Sequence, residues 1–343
     1  MTRSGCFVGR LGPLVLTLLL LAGGCERGHR EPSPIVAGAR TTDAASPRPP
    51  APPPASRPHA AVEKWARWPM PNVRLAGLPN PHSYDTQTPG VVVDRVTGLT
   101  WQRNLPEKFY TFQEAQRQCD RLDLAGHRDW RLPSRIELVS LLDTTRIQPS
   151  IDMAAFPNTP IDWFWTSSLA ADNPSAAWYV YFYFGYPKTD DMTNSFSVRC
   201  VRSERPPAPL GAHYDVRAHE ILDLATGLRW QRSVAPKPLP FRAADAYCAH
   251  LKLGARQDAK HDTPHDTQKG WRVPTLVELI TLIDEGASAP MIDATAFPDT
   301  PAEPFWTSST FANGAELAWY VRFDQGAGLY GRLSEAFRVR CVQ

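Results

Sequence analysis

Apolar and polar positions along this chain follow one pattern and then repeat it. Gly90-Val-Val-Val-Asp94 reads as a strand, and a turn at Thr97-Gly98 leads into Leu99-Thr-Trp-Gln-Arg103, so the pair predicts a β-hairpin. The same pair returns as Glu220-Ile-Leu-Asp223 and Leu228-Arg-Trp-Gln-Arg232. Phe112, Ala115, Cys119 and Leu122 then recur at helical spacing, as do Phe241, Ala244, Cys248 and Leu251. Each helix therefore presents its cysteine to the core side. Ser134-Arg-Ile-Glu137 and Thr275-Leu-Val-Glu278 are capping boxes, in which the hydroxyl and the glutamate satisfy free N–H groups of a new helix. Pro133 and Pro274 hold the chain extended before each cap, and the helices run on through Leu141-Leu142 and Leu282-Ile283. Capping accounts for both glutamates without a role as catalytic acids. Proline-rich irregular segments follow, and after them the strands Trp165-Thr-Ser-Ser168, Ala177–Phe182 and Phe196–Val201. Hairpin, two helices, irregular stretch and three strands predict an α+β fold with an antiparallel sheet.

The register of the repeat separates scaffold from variation. Cys119 and Cys248 lie 129 positions apart, as do Trp101 and Trp230. From Trp130 and Trp271 onward the offset is 141, which also relates Trp178 to Trp319 and Cys200 to Cys341. One insertion of 12 residues, in the polar stretch 253–270, explains the change. A surface loop absorbs it at little entropic cost. Each copy has the size of an ordinary domain with its own core. Residues shared by both copies build the domain, and residues that differ are free to carry function.

The N-terminus changes the picture of where the repeats reside. Arg3 and Arg10 precede an apolar run ending at Leu21, followed by Ala22-Gly-Gly-Cys25. Residues 1–25 read as a lipoprotein-type signal peptide with Cys25 as the lipidation site, although Ala22 stands where a large aliphatic residue is usual. Residues 26–81 read as a tether rich in proline and alanine, too polar to bury a core. Trp65 and Trp68 at its end are expected to pack on the first domain. The domains are then 82–203 and 211–343, joined by a linker at 204–210. A formal net charge of +2 over 343 residues argues against nucleic-acid binding.

Besides Cys6 in the signal and Cys25, four cysteines occupy matched places. In an exported chain two per copy read as one disulfide each, predicting Cys119–Cys200 and Cys248–Cys341. A catalytic thiol is the alternative, but the chain contains no CxxC spacing.

The series TGLxWQ, a helix with Cys, WRLP[ST]xxEL, ID…FP, WTSS, AWYVxF and VRCV resembles the bacterial Lcl C-terminal-like domain family, twice over, across about 82–203 and 211–343. The resemblance implies two tandem C-type-lectin-like domains. In that fold a disulfide joins the first helix to the last strand, in keeping with the pairing above. The family takes its name from a collagen-like adhesin that binds sulfated glycosaminoglycans, so an extracellular polysaccharide is an implied ligand. The signatures of calcium-dependent sugar binding are missing, and Glu303-Pro304 is followed by Phe305, which cannot ligate calcium.

Candidate chemistry lies where the copies disagree. Between the last two strands the first copy carries Tyr183, Tyr186 and Lys188, which can offer a stacking face and a cation to a glycan. Asp190, Asp191 and Asn194 can instead ligate calcium, and a solvated hairpin tip is the plain alternative. Arg322, Asp324, Tyr330 and Arg332 are the corresponding residues of the second copy. The paired tryptophans are expected in the core. Ser167-Ser168 and Ser308-Ser309 lack a histidine matched in both copies, so a hydrolytic triad is not expected. His261 and His265 are separated by Pro264, which disfavours the helix that would align them on a metal. No cofactor and no metal site are expected. The resulting expectation is an envelope-anchored, non-catalytic protein that binds glycan or protein, attached to the membrane only by its N-terminal lipid on the periplasmic or cell-surface side. A structural or assembly role and a thiol- or metal-dependent enzyme of the same fold are the alternatives.

Overall fold

The computed structural model describes residues 65–74, 77–204, 213–253 and 270–343. The signal with Cys25, the tether up to residue 64, most of the 204–210 linker and the insertion holding His261 and His265 lie outside the described residues.

The first copy contains β1 (Tyr84–Asp85), β2 (Val91–Asp94), β3 (Leu99–Gln102), α1 (Phe112–Asp120), α2 (Arg135–Val139), β4 (Trp163–Leu169), β5 (Ala176–Tyr181), β6 (Tyr186–Asp191) and β7 (Val201–Ser203). The second contains β8 (Tyr214–Val216), β9 (Glu220–Asp223), β10 (Arg229–Gln231), β11 (Leu239–Pro240), α3 (Phe241–Ala249), α4 (Leu276–Ile280), β12 (Pro304–Thr310), β13 (Leu317–Arg322), β14 (Ala327–Arg332) and β15 (Ala336–Phe337). This is a mixed α/β structure with several antiparallel sheets and few, short helices. In each copy one sheet comes from the opening hairpin, in the orders β1-β2-β3-β7 and β10-β9-β8. A three-stranded meander forms another, β4-β5-β6 and β12-β13-β14, and the second copy adds the pair β11-β15.

The expected hairpins and capping boxes are present. Each cap glutamate does more than cap. Glu137 accepts a bidentate pair from Arg131, and Glu278 accepts one from Arg272 at 2.7 Å on both oxygens. Burial alone would raise the Glu278 pKa, but Arg272, the Thr275 N–H and Asn72 together hold it below the usual carboxylate range. The paired serines also have a structural role. Ser168 Oγ accepts from the Arg135 N–H at 3.0 Å and Ser309 Oγ from the Leu276 N–H at 3.1 Å, satisfying a free donor in the first turn of each short helix.

The remaining shared landmarks converge on one buried arginine per copy. Arg199 Nη1 donates to the Gln102 carbonyl at 2.7 Å, Nη2 donates to Thr159 Oγ1 at 2.7 Å, and the guanidinium lies 4.8 Å from the Phe156 ring. Arg340 repeats this with the Gln231 carbonyl, Thr300 and Phe297. Burial pulls both arginines down to about 9, so they stay protonated at neutral pH. The WQR, FP…TP and VRCV motifs thus recur together because one cation needs all three.

Cys119 is bonded to Cys200 and Cys248 to Cys341. Each bond sits in an apolar cluster private to its copy, with Trp130 and Trp165 around the first and Trp306 around the second. Seven of the eight paired tryptophans are fully or nearly fully buried, and Trp271 is half-buried.

Several expectations are corrected. The copies do not keep separate cores: one cluster contains Ile136, Leu138, Trp178 and Phe182 of the first together with Leu276, Ile280, Trp319 and Phe323 of the second. The cause lies in α2 and α4, whose five residues are buried on every side and so require cover beyond their own sheet. The seam includes the Arg135–Glu285 ion pair at 3.0 Å, with side chains 0% and 3% exposed. Trp178 seats on the second copy's β13–β14 turn at Gly326, where φ is +63° and a Cβ would lie 2.9 Å from the ring.

The tether is shorter than expected. Ala66, Trp68 and Met70 belong to the shared core. Asn72 donates to Glu278 at 3.1 Å and accepts from Thr275 Oγ1 at 2.7 Å. Trp65 packs on His213 and Tyr214, at 4.9 and 6.3 Å between ring centroids, and hence on the second copy rather than the first. The chain crosses the second copy before it enters the first.

Phe196–Val201 is also not one regular strand. Ser197 exchanges hydrogen bonds with Trp163 and Trp165, while Cys200 accepts from the Gln102 N–H, so this segment bridges two sheets. The ladder with β3 runs only over β7.

Candidate functional site

The stretch between the last strands, where the copies disagree, is a hairpin in each copy. β6 pairs with β5 from Tyr181↔Tyr186 to Ala176↔Asp191, and β14 pairs with β13 in the same manner. Alternation along β5 sends Trp178 and Val180 into the shared core, and Ala177, Tyr179 and Tyr181 to the opposite face.

That opposite face carries a row of partly exposed rings. Trp163 on β4 is 40% exposed and pairs in register with Tyr181. Their centroids are 5.5 Å apart, and Tyr181 stacks on Tyr183 at 5.7 Å. The row is held from beneath and from the side. Trp163 rests on Phe196 at 5.2 Å and on Tyr179 at 6.3 Å, and the Tyr183 hydroxyl accepts from Gln148 Nε2. Tyr110 hydrogen-bonds through its backbone to Phe196, and its chain neighbour Phe109 is 54% exposed. Burial raises the Tyr181 hydroxyl pKa, and Tyr183 and Asp162 add to the shift, so it stays a neutral donor.

The second copy does not repeat this row. Pro304 occupies the register position of Trp163, opposite Arg322 where the first copy has Tyr181. Asp324 stands in place of Tyr183 and pairs with Arg322 at 2.8 Å. Glu303, in place of Asp162, pairs with Arg338 at 2.8 Å. Ion pairs at a water-exposed edge contribute little and need no ligand.

The ten candidate residues divide accordingly. Tyr183 lies on the row, and Lys188 is exposed on β6 opposite Tyr179. Tyr186 turns to the seam, 6.4 Å from Trp319, and Tyr330, 39% exposed, stacks on Phe311 at 4.2 Å and lies 6.1 Å from Phe184. Asp190 accepts from the Asp191 N–H and from Asn194 at 3.0 Å, and Asp191 accepts from the Thr193 N–H and hydroxyl. These side chains hydrogen-bond within their own turn. Among the described residues no three His, Cys, Asp or Glu side chains are grouped to hold a metal. Arg322 and Asp324 neutralise one another, and Arg332 is exposed with its N–H donated to Glu335.

Sequence reasoning missed Trp163. Its signal was available: it is the tryptophan of the repeat that finds proline, not tryptophan, 141 positions on. Phe109 and Tyr181, which face Pro238 and Arg322 in the other copy, carry the same signal.

One cleft outside this face is lined by His82, Tyr84, Asp143, Arg146 and Asp152. Its central groups are already engaged. The Tyr84 hydroxyl donates to His82 Nδ1 at 2.7 Å, and His82 Nε2 lies 3.3 Å from the Leu142 carbonyl. Burial lowers the His82 pKa, which fixes a neutral ring.

Two matching halves, each stapled by a disulfide, sharing one core and differing on their outer faces, define a duplicated mixed α/β scaffold. The chain belongs to the Lcl C-terminal domain family, whose model matches residues 90–202 and again 219–343. No curated protein matches the chain.

Proposed function

We propose that this chain is a non-catalytic binding protein of the cell envelope, built from two lectin-like domains, whose ligand docks on the outer aromatic face of the first copy. The observation that carries this reading is the row Trp163, Tyr181 and Tyr183, set against Pro304, Arg322 and Asp324 at the same places in the second copy. Large rings with few rotatable bonds are efficient contacts because little entropy is lost when they engage a partner. The second copy serves as structural mate, supplying half of the shared core.

The surroundings support an exported location. Both disulfides belong to an oxidising compartment. Among the described residues no helix is long and apolar enough to cross a membrane. The proposed attachment is a lipid on Cys25, which follows Ala22-Gly-Gly. Cys25→Ser is expected to release the protein from the membrane fraction, measured by fractionation and immunoblotting. Undiminished retention of the variant would remove the lipid anchor.

The four described cysteines are consumed in disulfides, which leaves no thiol among them for cysteine chemistry. The binding face is tested on the purified protein with a glycan array and with ligand pull-downs. Trp163→Ala is expected to weaken binding by about ten- to a hundred-fold, the range of a buried aromatic contact, with an unchanged far-ultraviolet circular dichroism spectrum. Equal binding by Trp163→Ala would move the site elsewhere. Crosslinking in the native membrane to envelope proteins, unaffected by Trp163→Ala, would favour the assembly role instead.

A further inference from the structure

The charge around the aromatic row narrows the ligand. Sulfated or uronic polysaccharides are recognised by clustered arginine and lysine, whose forks and ammonium groups meet repeated anions. The first copy's face is built otherwise. Asp162 sits beside the row at the start of β4, where its carboxylate accepts from the Trp163 N–H at 2.7 Å and from Ser197 Oγ at 3.3 Å. Asp190 and Asp191 end β6 opposite Ala177 and Ala176, away from the Tyr181–Tyr186 pair. Lys188 is the single cation of that strand. Lys188 and Lys108, the latter 5.1 Å from the Tyr110 ring centroid, stand singly, so a polyanion laid along this row meets no cluster of cations.

The polar groups that remain suit hydroxyls. Tyr181 and Tyr183 offer phenolic groups that donate and accept. Gln148 supplies an amide beside Tyr183, and Asp162 a carboxylate acceptor beside Trp163. The rings follow one another at 5.5 and 5.7 Å between centroids, comparable to the length of one pyranose unit. Trp163 is 40% exposed and Tyr181 and Tyr183 are half-buried, so each leaves some apolar ring surface within reach of a sugar ring. Trp163 and Tyr183 are held in place before any ligand arrives, by Phe196 and by Gln148, so little ordering remains for binding. A row of half-exposed rings, each with a polar tip, fits an extended chain of repeating hydroxylated units better than a protein knob, which requires a pocket.

We propose that the Trp163–Tyr181–Tyr183 row binds an uncharged polysaccharide strand, one ring against each successive sugar. This rests on the first copy's aromatic face being the binding site. It departs from the sulfated ligands that the family resemblance implies.

The test is retention of the purified protein on cellulose, chitin, mannan and cross-linked dextran, with heparin-agarose as the charged comparison. Retention on at least one neutral matrix is expected to change by less than about two-fold between about 50 mM and about 500 mM NaCl, because no ion pair is screened. Trp163→Ala and, independently, Tyr181→Ala are expected to lower it about ten-fold or more, and Trp163→Phe to recover part of the loss. Thermal melting of each variant separates lost binding from lost folding. Salt-sensitive retention on heparin alone, abolished by Trp163→Ala, would overturn the uncharged ligand while keeping the face. Neutral retention unaffected by both alanine variants would overturn the face itself. No retention on any neutral matrix overturns this proposal.

Discussion

Glu285→Thr alone is expected to destabilise the protein by about 3–5 kcal/mol, and adding Arg135→Leu is expected to restore most of that loss. Arg135 is wholly buried, and its Nε donates to Glu285 Oε1 at 3.0 Å. Its Nη2 donates to the Ile283 carbonyl at 3.2 Å, and the guanidinium lies 5.1 Å from the Trp178 ring. Removing the carboxylate leaves a cation where water cannot solvate it. Removing both charges leaves only a packing problem, and the protein already contains a solution to that problem. Across the repeat, 141 positions away, Arg135 corresponds to Leu276 and Glu285 to Thr144. Leu276 and Thr144 are both buried, and Thr144 shares a cleft with Thr275 and Val277. The double variant therefore puts the leucine and threonine found at Leu276 and Thr144 in place of Arg135 and Glu285. Urea denaturation of both single variants and the double variant measures the cycle. A double variant as unstable as Glu285→Thr would show that the two sites are not equivalent.

Reduction of either disulfide is expected to have an effect of similar size, about 4–5 kcal/mol in the chain-entropy account. The bonds close long segments, with sequence separations of 81 and 93. A loss of that size should lower the melting temperature by on the order of 10 °C. The shared core adds a sharper expectation. Cys119→Ser with Cys200→Ser touches only the first copy's private cluster, yet both copies should melt together at the lower temperature. Separate cores would leave the second copy melting where it does in the wild-type protein. Calorimetry distinguishes one lowered transition from two, and two transitions would contradict the continuous packing from Ile136 to Ile280.

Much of the scaffold was legible in the chain. Cys119 and Cys200 could be paired because each copy offers two cysteines at matched places. Ser134 and Glu137 declared a helix start because a capping box is a local arrangement, complete within four residues. Trp101 and Trp178 could be placed in the core because each returns in the second copy. The binding face was only half legible. Tyr183 and Lys188 stand out because the copies differ there. Tyr186 and Tyr330 stand out on the same ground, yet they serve the seam. Chain position does not tell which way the tip of a twisted hairpin turns its rings.

The sequence by itself determined the repeat, the pairing of its cysteines, the caps and the landmarks around each buried arginine. All of these are local, or are fixed by comparing one copy with the other. Only the tertiary structure decided that the two copies share one core, that residues 65–74 lie across the second copy, and that Trp163 stands in line with Tyr181 and Tyr183. The physical reason is common to all three. Five-residue helices buried on every side need a partner surface, and rings distant in sequence become neighbours only through strand register. Neither condition is written into any single segment of the chain.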